Sequence, residues 1–586
     1  MSKRLLALAV CALAAGAFAG SLGNDFVWDD PIILTRQLPV FRTVGAVFQP
    51  PPNIPQFAPD YYRPMVIASY LIDQKVSGGA PWWFHLTVVA AHALTAVAVL
   101  LLGDLLFLRL GMTAARASAT AAIGAAVFAV HPVHTEAVAW IAGRADVFAA
   151  LFGTAAVYCH VRSQREVRFA VAAAAAWLLA LLSKEVAMSL AALFVAVDVL
   201  VPAPRDPQRT KGPSRAKAPP HASALPRYAP LVLSIAVYAA LRWSAVQGNL
   251  GTRSGPAQGF LGSRVAAALG LYARKLVWPW PLSAYIADLP ADIPSLVIGV
   301  VAAFLLTGGA VFAWRRGEKV VAFLLAWIGV TLAPALTILV KIPEVPAAER
   351  YLYLPSVGYC LLLGYVLSRG LHSTSGVRRV AAAGVLVVCV AVGTAVTAWR
   401  SRVWASDLVL WTDTAAANPR AGMPLRSLGG ALLKAGRLDE AQRAYEESLQ
   451  RDNNAAGRVT LLSNLGTIEL MRGQLDRAEK LYRDAVALQP TPDSLYNLGV
   501  ISLRRAQAAL DLGDRPAAEA AAAAALRDLA VSESMSPHDP DIQLAVAQAL
   551  QFLGREEEAR QHYRHALDLG LTGETAEQVR ARLQGK

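Results

Sequence analysis

The sequence predicts an all-α protein in two parts: a polytopic helical membrane domain over residues 1–400, then an α-solenoid over 401–586. Three observations carry this. Of the 586 residues, 55% are hydrophobic and 17% charged, too apolar a balance for an ordinary water-soluble chain. Long apolar runs recur through residues 5–400 and stop there. Beyond residue 420 the chain repeats itself, with Gly436, Gly473, Gly513 and Gly554 spaced 37, 40 and 41 residues apart.

A hydrocarbon core of ~30 Å is crossed by about 20 apolar residues in a helix. Apolar segments near 5–22, 84–108, 114–130, 145–161, 169–183, 186–201, 229–246, 296–314, 320–340, 355–368 and 380–399 are the expected spans, eleven in all. The first contains AGAFAG, which resembles a signal-peptidase site after Ala19; its retention as a helix is the expectation. Alternate connections are basic: Lys3 and Arg4; Arg109 and Arg116; Arg162, Arg165 and Arg168; the Pro-rich linker 202–228; Arg315, Arg316 and Lys319; Arg369, Arg378 and Arg379. Lys and Arg concentrate in cytoplasmic loops. The N-terminus is therefore placed inside, and eleven crossings leave the solenoid outside. The net charge of +13 reads as membrane topology rather than as a nucleic-acid footprint. Residues 264–286, with Trp278, Trp280 and Tyr285 among prolines, read as an interfacial or re-entrant helix. Cys11, Cys159, Cys360 and Cys389 all fall in spans, which excludes disulfide staples and Cys-based metal sites as principal features.

In the solenoid each glycine stands five residues before a small residue: Ala441, Ala478, Ala518 or Ala559. Three units add a tyrosine four residues later: Tyr445, Tyr482 and Tyr563. This is the tetratricopeptide pattern, helix pairs in which the small residue admits close approach and the aromatic fills the neighbouring gap. About four units are expected, with LWTDTAAANP (Trp411 to Pro419 in register) as a preceding half-repeat. Asn464 and Asn497 share a register just before LG. They either line a peptide-binding groove or bond solvent, and Ser427 at that position in the first unit interrupts any ladder.

The outward loops carry the charges of interest: DFVWDD (25–30), YYRPM (61–65), HPVHTEAVAWIAGRAD (131–146), SKE (183–185) and PEVPAAERYLYLPS (343–356). Ionisable groups at membrane depth are expensive and mark functional sites by default. Asp30, preceding Pro31, reads as a helix N-cap or as half of an acidic pair, and Asp29 is the better proton acceptor. Glu136, Trp140 and Arg144 lie four apart and share one face if helical. For His131 and His134 a metal role competes with helix-start hydrogen bonding and substrate contact, and no HExxH signature is present. Lys184 can snorkel, and Arg350 and Arg63 can be interfacial anchors. Their common placement on the outer side is what argues for a site.

DFVWDD, YYRP, FHLTVVAAHA, HPVHTEAVAWIAGRADVFAALF, LLSKEVAMSLAALFVAVDVL and RYLYLPSVGYCLLLG, in this order and followed by repeats, resemble the transmembrane and tetratricopeptide-repeat O-mannosyltransferases. The resemblance covers nearly the whole chain. It implies a GT-C glycosyltransferase fold, an acidic motif at Asp29 and Asp30, and a polyprenyl-phosphate sugar as co-substrate. Asp29, with Asp30 beside it, is then the base. Arg144, Lys184, Arg350 and Arg63 hold the donor phosphate, and His131, His134, Glu136, Asp146 and Glu185 are further site candidates. The solenoid presents a protein acceptor. A divalent cation, Mg2+ or Mn2+, on Asp29 and Asp30 stays open. The Ala- and Arg-rich composition suggests a bacterial inner-membrane protein with its repeats in the periplasm.

Two other functions are weighed. A non-catalytic membrane-anchored repeat scaffold leaves the outward charges idle. A lipid-linked saccharide transporter favours mid-span charges and internal membrane repeats, whereas Asp104 and Asp198 fall near the inner ends of spans.

Overall fold

The computed structural model describes residues 2–41, 43–49, 62–201, 225–246, 261–290, 292–341, 347–451 and 454–584. Among these residues the regular structure is helical, with no β-strand and one isolated bridge from Ile286 to Ala347. It divides into two units, Met1–Thr414 and Ala415–Lys586. Most of the linker (202–224), Tyr61 of YYRPM and residues 343–346 lie outside the described residues.

All eleven segments expected to span are helical. Among the described residues, seven helical segments are long and apolar enough to cross a bilayer alone: Lys3–Gly23, Pro81–Arg109, Ile141–Ser163, Leu225–Ala245, Ile293–Arg315, Lys319–Thr337 and Gly376–Trp404. An eighth is a broken pair, Ala114–Ala129 and Pro132–Ala139, bent by 51° where Pro132 removes a helix donor. Arg168–Ser183, Leu190–Leu200 and Pro355–Leu371 have 16, 11 and 17 residues. At 1.5 Å per residue they are shorter than a bilayer core. The chain is a multi-pass membrane protein.

Pro81–Arg109 is the central helix, packed by Lys3–Phe18, Ala114–Ala129 and Arg144–Ser163. Small residues let such helices approach closely: a Cβ at Gly364 would lie 2.7 Å from the backbone nitrogen of Gly124. The basic connections find acids at their own end of the unit. Lys3 Nζ meets Asp104 at 2.6 Å, and Arg227 meets Asp198 at 2.8 Å. Neither aspartate is therefore part of a central relay.

The helix expected over 264–286 is shorter. Leu261–Val277 is helical, and 278–290 runs irregularly, because Pro279 and Pro281 supply no amide donors. Lys275 Nζ and the Ser283 amide pin this run to Glu349 Oε1 at 2.7 and 2.9 Å.

Among the described residues the solenoid holds four helix pairs and a closing helix, Gly573–Leu583. The glycines that turn each pair, Gly436, Gly473, Gly513 and Gly554, have φ of +73° to +77° or, for the last, +71°, a region L-residues rarely adopt. Tyr445 packs on Gly429 and Tyr482 on Gly466. The third unit has no such tyrosine, and Leu529 fills the space over Gly499 instead. The closing helix covers the last pair with Ala576 and Val579. Where the half-repeat is expected, helix Asp407–Ala417 turns Trp411 edge-on to Trp28 at 5.2 Å.

Candidate active site

The first loop leaves helix Lys3–Phe18 through a 3-10 turn, Ala19–Gly23, and runs irregularly to Val27. Trp28 then takes φ +58°, a left-handed conformation that costs a non-glycine residue about 1–2 kcal/mol. The chain doubles back there. Asp30 Oδ2 accepts from the Val27 amide at 3.2 Å and Oδ1 from the Ala142 amide at 2.9 Å. Asp30 is therefore no N-cap. It is the first residue of the short helix Asp30–Ile32, and its carboxylate ties the loop to the turn at 141–143.

Asp29 occupies the cap position; its carbonyl accepts from the Ile33 amide at 3.0 Å, while its side chain makes no cap bond. Its side chain is exposed, yet protein atoms crowd it on most sides, which describes a carboxylate at an open recess. That crowding raises its pKa above the usual carboxylate range, with Arg350 opposing. Asp30 is 1% exposed. Burial pushes it up to about 8, against the two amide donors and Arg144, while Asp29 adds repulsion.

Three cations gather beside this loop. The Arg350 amide donates to Glu136 Oε2 at 2.9 Å, and its guanidinium pairs with Glu136 Oε1. Lys184 Nζ meets the two oxygens of Asp146 at 2.7 and 2.6 Å. Arg63 bonds Glu185 at 2.9 Å. Tyr351 lies between two of them, 5.0 Å from the Arg350 guanidinium and 5.2 Å from Lys184 Nζ. Each cation is held by its own carboxylate, so Glu136, Asp146 and Glu185 act as supports. Lys184 feels both Arg63 and Arg350, and Asp29 feels Arg350, so the charges share one locality. The Arg350, Lys184 and Arg63 side chains keep 18%, 11% and 25% exposure, enough to meet a ligand. Burial lowers Lys184 to about 8, with Asp146 opposing and the two arginines adding to the shift.

Arg144 does not join them. Its side chain is fully buried and donates to Asp73 at 2.6 Å, Ser69 Oγ at 2.9 Å, Phe84 O at 3.1 Å and Ile141 O at 3.3 Å. No face is left for a phosphate. The expected shared face of Glu136, Trp140 and Arg144 fails because Trp140 is extended (φ −94°, ψ 125°) between helices Thr135–Ala139 and Arg144–Ser163. His131 and His134 are also committed elsewhere. His131 accepts from the Val133 amide and contacts Leu276 O at 3.0 Å, whereas His134 Nε2 meets Ser356 Oγ at 2.8 Å. They anchor the start of this segment.

The turn that separates Glu136 from Arg144 depends on Gly143, where a Cβ would lie 2.8 Å from the carbonyl oxygens of both Glu136 and Ala137. Gly143→Ala is expected to destabilise the protein by about 1–3 kcal/mol. The melting temperature of the detergent-solubilised protein measures this.

Among the described residues no three His, Cys, Asp or Glu side chains group as a metal site. Both Asp30 oxygens are engaged by backbone amides, so Asp29 alone of the pair offers a carboxylate to the recess. Sequence reasoning missed Asp73, Tyr351 and Asp407. Asp73 had a signal, a lone acid inside the apolar helix Pro64–Ser77; Asp407 had none.

The comparisons agree with the sequence resemblance. Tetratricopeptide-repeat family models match residues 420–491 and 503–570, across the helix pairs. Protein O-mannosyl-transferase TMTC4 of Homo sapiens is 26% identical over 495 residues, covering 75% of this chain and 65% of that protein. The Mus musculus TMTC4 is 26% identical over 432 residues, 63% and 57% of the two chains. Protein O-mannosyl-transferase F38B6.6 of Caenorhabditis elegans is 23% identical, covering 76% and 62%. The chain's homologues are protein O-mannosyl-transferases. The human and nematode matches extend further than either structural unit alone, so the likeness to the O-mannosyl-transferases reaches into both. The chain spans less than two thirds of the length of these relatives. Among solved structures, a tetratricopeptide-repeat protein of Thermus thermophilus is 22% identical over 33% of this chain and 91% of that one. Its TM-score of 0.22 adds nothing to the repeat assignment.

Proposed function

We propose that the protein is a GT-C type membrane glycosyltransferase that moves a hexose, mannose or another, from a polyprenyl-phosphate donor to a hydroxyl group of a protein acceptor. One observation carries this: the exposed Asp29 side chain feels Arg350, which with Arg63 also acts on Lys184, and each of the three cations is held by its own carboxylate. The prenyl chain stays in the bilayer and the phosphate enters the recess. Asp29 takes the acceptor's hydroxyl proton as that oxygen bonds to the anomeric carbon. The bond from that carbon to the phosphate oxygen breaks, and its electron pair leaves with the phosphate. The three cations meet the resulting charge, Arg350 with a planar fork suited to two phosphate oxygens. Asp30 keeps the loop in place.

The basic connections at the other end of the helices favour an extracytoplasmic site, periplasmic in a bacterial inner membrane. The repeats recruit the acceptor. Asn464 and Asn497 lie on the first helices of consecutive pairs, half-buried, with side-chain amides that bond no described residue and so are available to a peptide backbone.

Binding of polyprenyl phosphate to the purified protein tests the phosphate site. Lys184→Ala is expected to weaken it roughly tenfold, and unchanged affinity would contradict the assignment. A pH dependence follows from the same residue. Lys184 is charged below about 8 and loses its charge above it. Donor KM should therefore climb as pH passes that value. In Lys184→Arg, charged throughout, the climb should disappear.

A further inference from the structure

Three hydrogen bonds strap the acidic loop to the segment that leaves the last membrane helix. Asn24 Nδ2 donates to Ser401 O at 3.0 Å, the Asp25 amide to Ala405 O at 3.0 Å, and the Trp28 amide to Asp407 Oδ1 at 2.8 Å. They advance in the same order along both segments. The Trp28 ring stacks on Trp140 at 4.8 Å and 17°, and on Trp404 at 6.5 Å and 20°, with Trp411 edge-on. Trp404 and Trp411 are 1% and 3% exposed, so this bed is itself fixed in the core.

The strap ends next to Asp29. Asp30 clamps the chain after Asp29 through the Val27 and Ala142 amides. Asp407 clamps the chain before it, at the residue whose φ is +58°. A tryptophan does not hold a left-handed backbone unaided. Released, it would return to negative φ and swing the following carboxylate away from Arg350.

We propose that Asp407 is a positioning residue for sugar transfer: by accepting the Trp28 amide it holds the left-handed turn that aims Asp29 into the cation recess. This rests on the transferase reading above.

The test uses the full-length protein in detergent as wild type, Asp407→Ala and Asp407→Asn. Amide hydrogen exchange over residues 24–30 and transfer kinetics from a labelled polyprenyl-phosphate hexose are measured on all three. In Asp407→Ala the loop amides should exchange at least about tenfold faster. Its kcat should fall roughly 10- to 100-fold with donor KM little changed, since a misaimed catalytic group costs rate rather than binding. Asp407→Asn keeps an oxygen that accepts the Trp28 amide, and it should retain both protection and most of kcat. Unchanged exchange in Asp407→Ala overturns the proposal. So does an Asp407→Asn variant as impaired as Asp407→Ala, or a loss confined to donor KM. If wild type itself transfers nothing, the transferase reading fails; the exchange arm then still decides whether Asp407 clamps this loop.

Discussion

Asp29→Asn is expected to lower kcat by about 10²- to 10⁴-fold, with donor KM and folding unchanged. The substitution is isosteric, and the native side chain is exposed and makes no hydrogen bond to a described residue, so little stability is at stake. What it removes is the capacity to take a proton. Asp30→Asn is the contrasting case. There one oxygen becomes an NH2 group facing a backbone amide, and a buried donor left unpaired costs about 1–3 kcal/mol. Loss of folded protein, rather than a pure kcat effect, is expected from it. The pH behaviour separates the two residues further. Crowding raises the Asp29 pKa, so the acid limb of kcat should lie above the ordinary carboxylate range. Asp30 titrates near 8 when folded and near 3.8 otherwise. The folded state then holds a proton that the unfolded chain has released, so this group's contribution to stability declines as pH rises through that window. Melting temperature against pH, compared between wild type and Asp30→Asn, reads that slope.

Arg144→Ala should act on folding instead. Arg144 and Asp73 meet at 2.6 Å with side chains 0% and 3% exposed. Removing one partner strands a buried charge, at a cost of about 3–5 kcal/mol, a large share of the 5–15 kcal/mol typical of a folded domain. Arg144→Lys should not rescue it, because a point-like ammonium cannot reproduce bonds to Asp73, Ser69, Phe84 and Ile141 together. Yield of monodisperse protein and its melting temperature measure this. An Arg144→Ala protein that folds normally and shows only a raised donor KM would return Arg144 to the phosphate site.

What was legible in the chain follows from what a period can encode. Apolar runs gave the helical spans, and the recurring glycines gave the repeats, because both depend on local spacing alone. The segments of the candidate site could also be singled out by residue type: Asp29 feels Arg350, and Lys184 feels Arg350 and Arg63, though nothing local pairs them. The partners were not. Arg144 matched a phosphate ligand by type, yet the break at Trp140 sends it to Asp73 on another helix. Asp30 before Pro31 looked like a cap until the left-handed turn at Trp28 redirected its carboxylate. A backbone dihedral at a tryptophan has no sequence signal, and neither does the contact that holds it, made with a residue 379 positions away.

The most direct measurement is transfer by the purified wild-type protein from a radiolabelled polyprenyl-phosphate hexose to envelope proteins. The expected result is donor-dependent labelling of a protein hydroxyl that disappears in Asp29→Asn. No labelling with any donor, together with repeat-dependent capture of a partner by wild type and Asp29→Asn alike, would contradict it and make the protein a membrane-anchored scaffold.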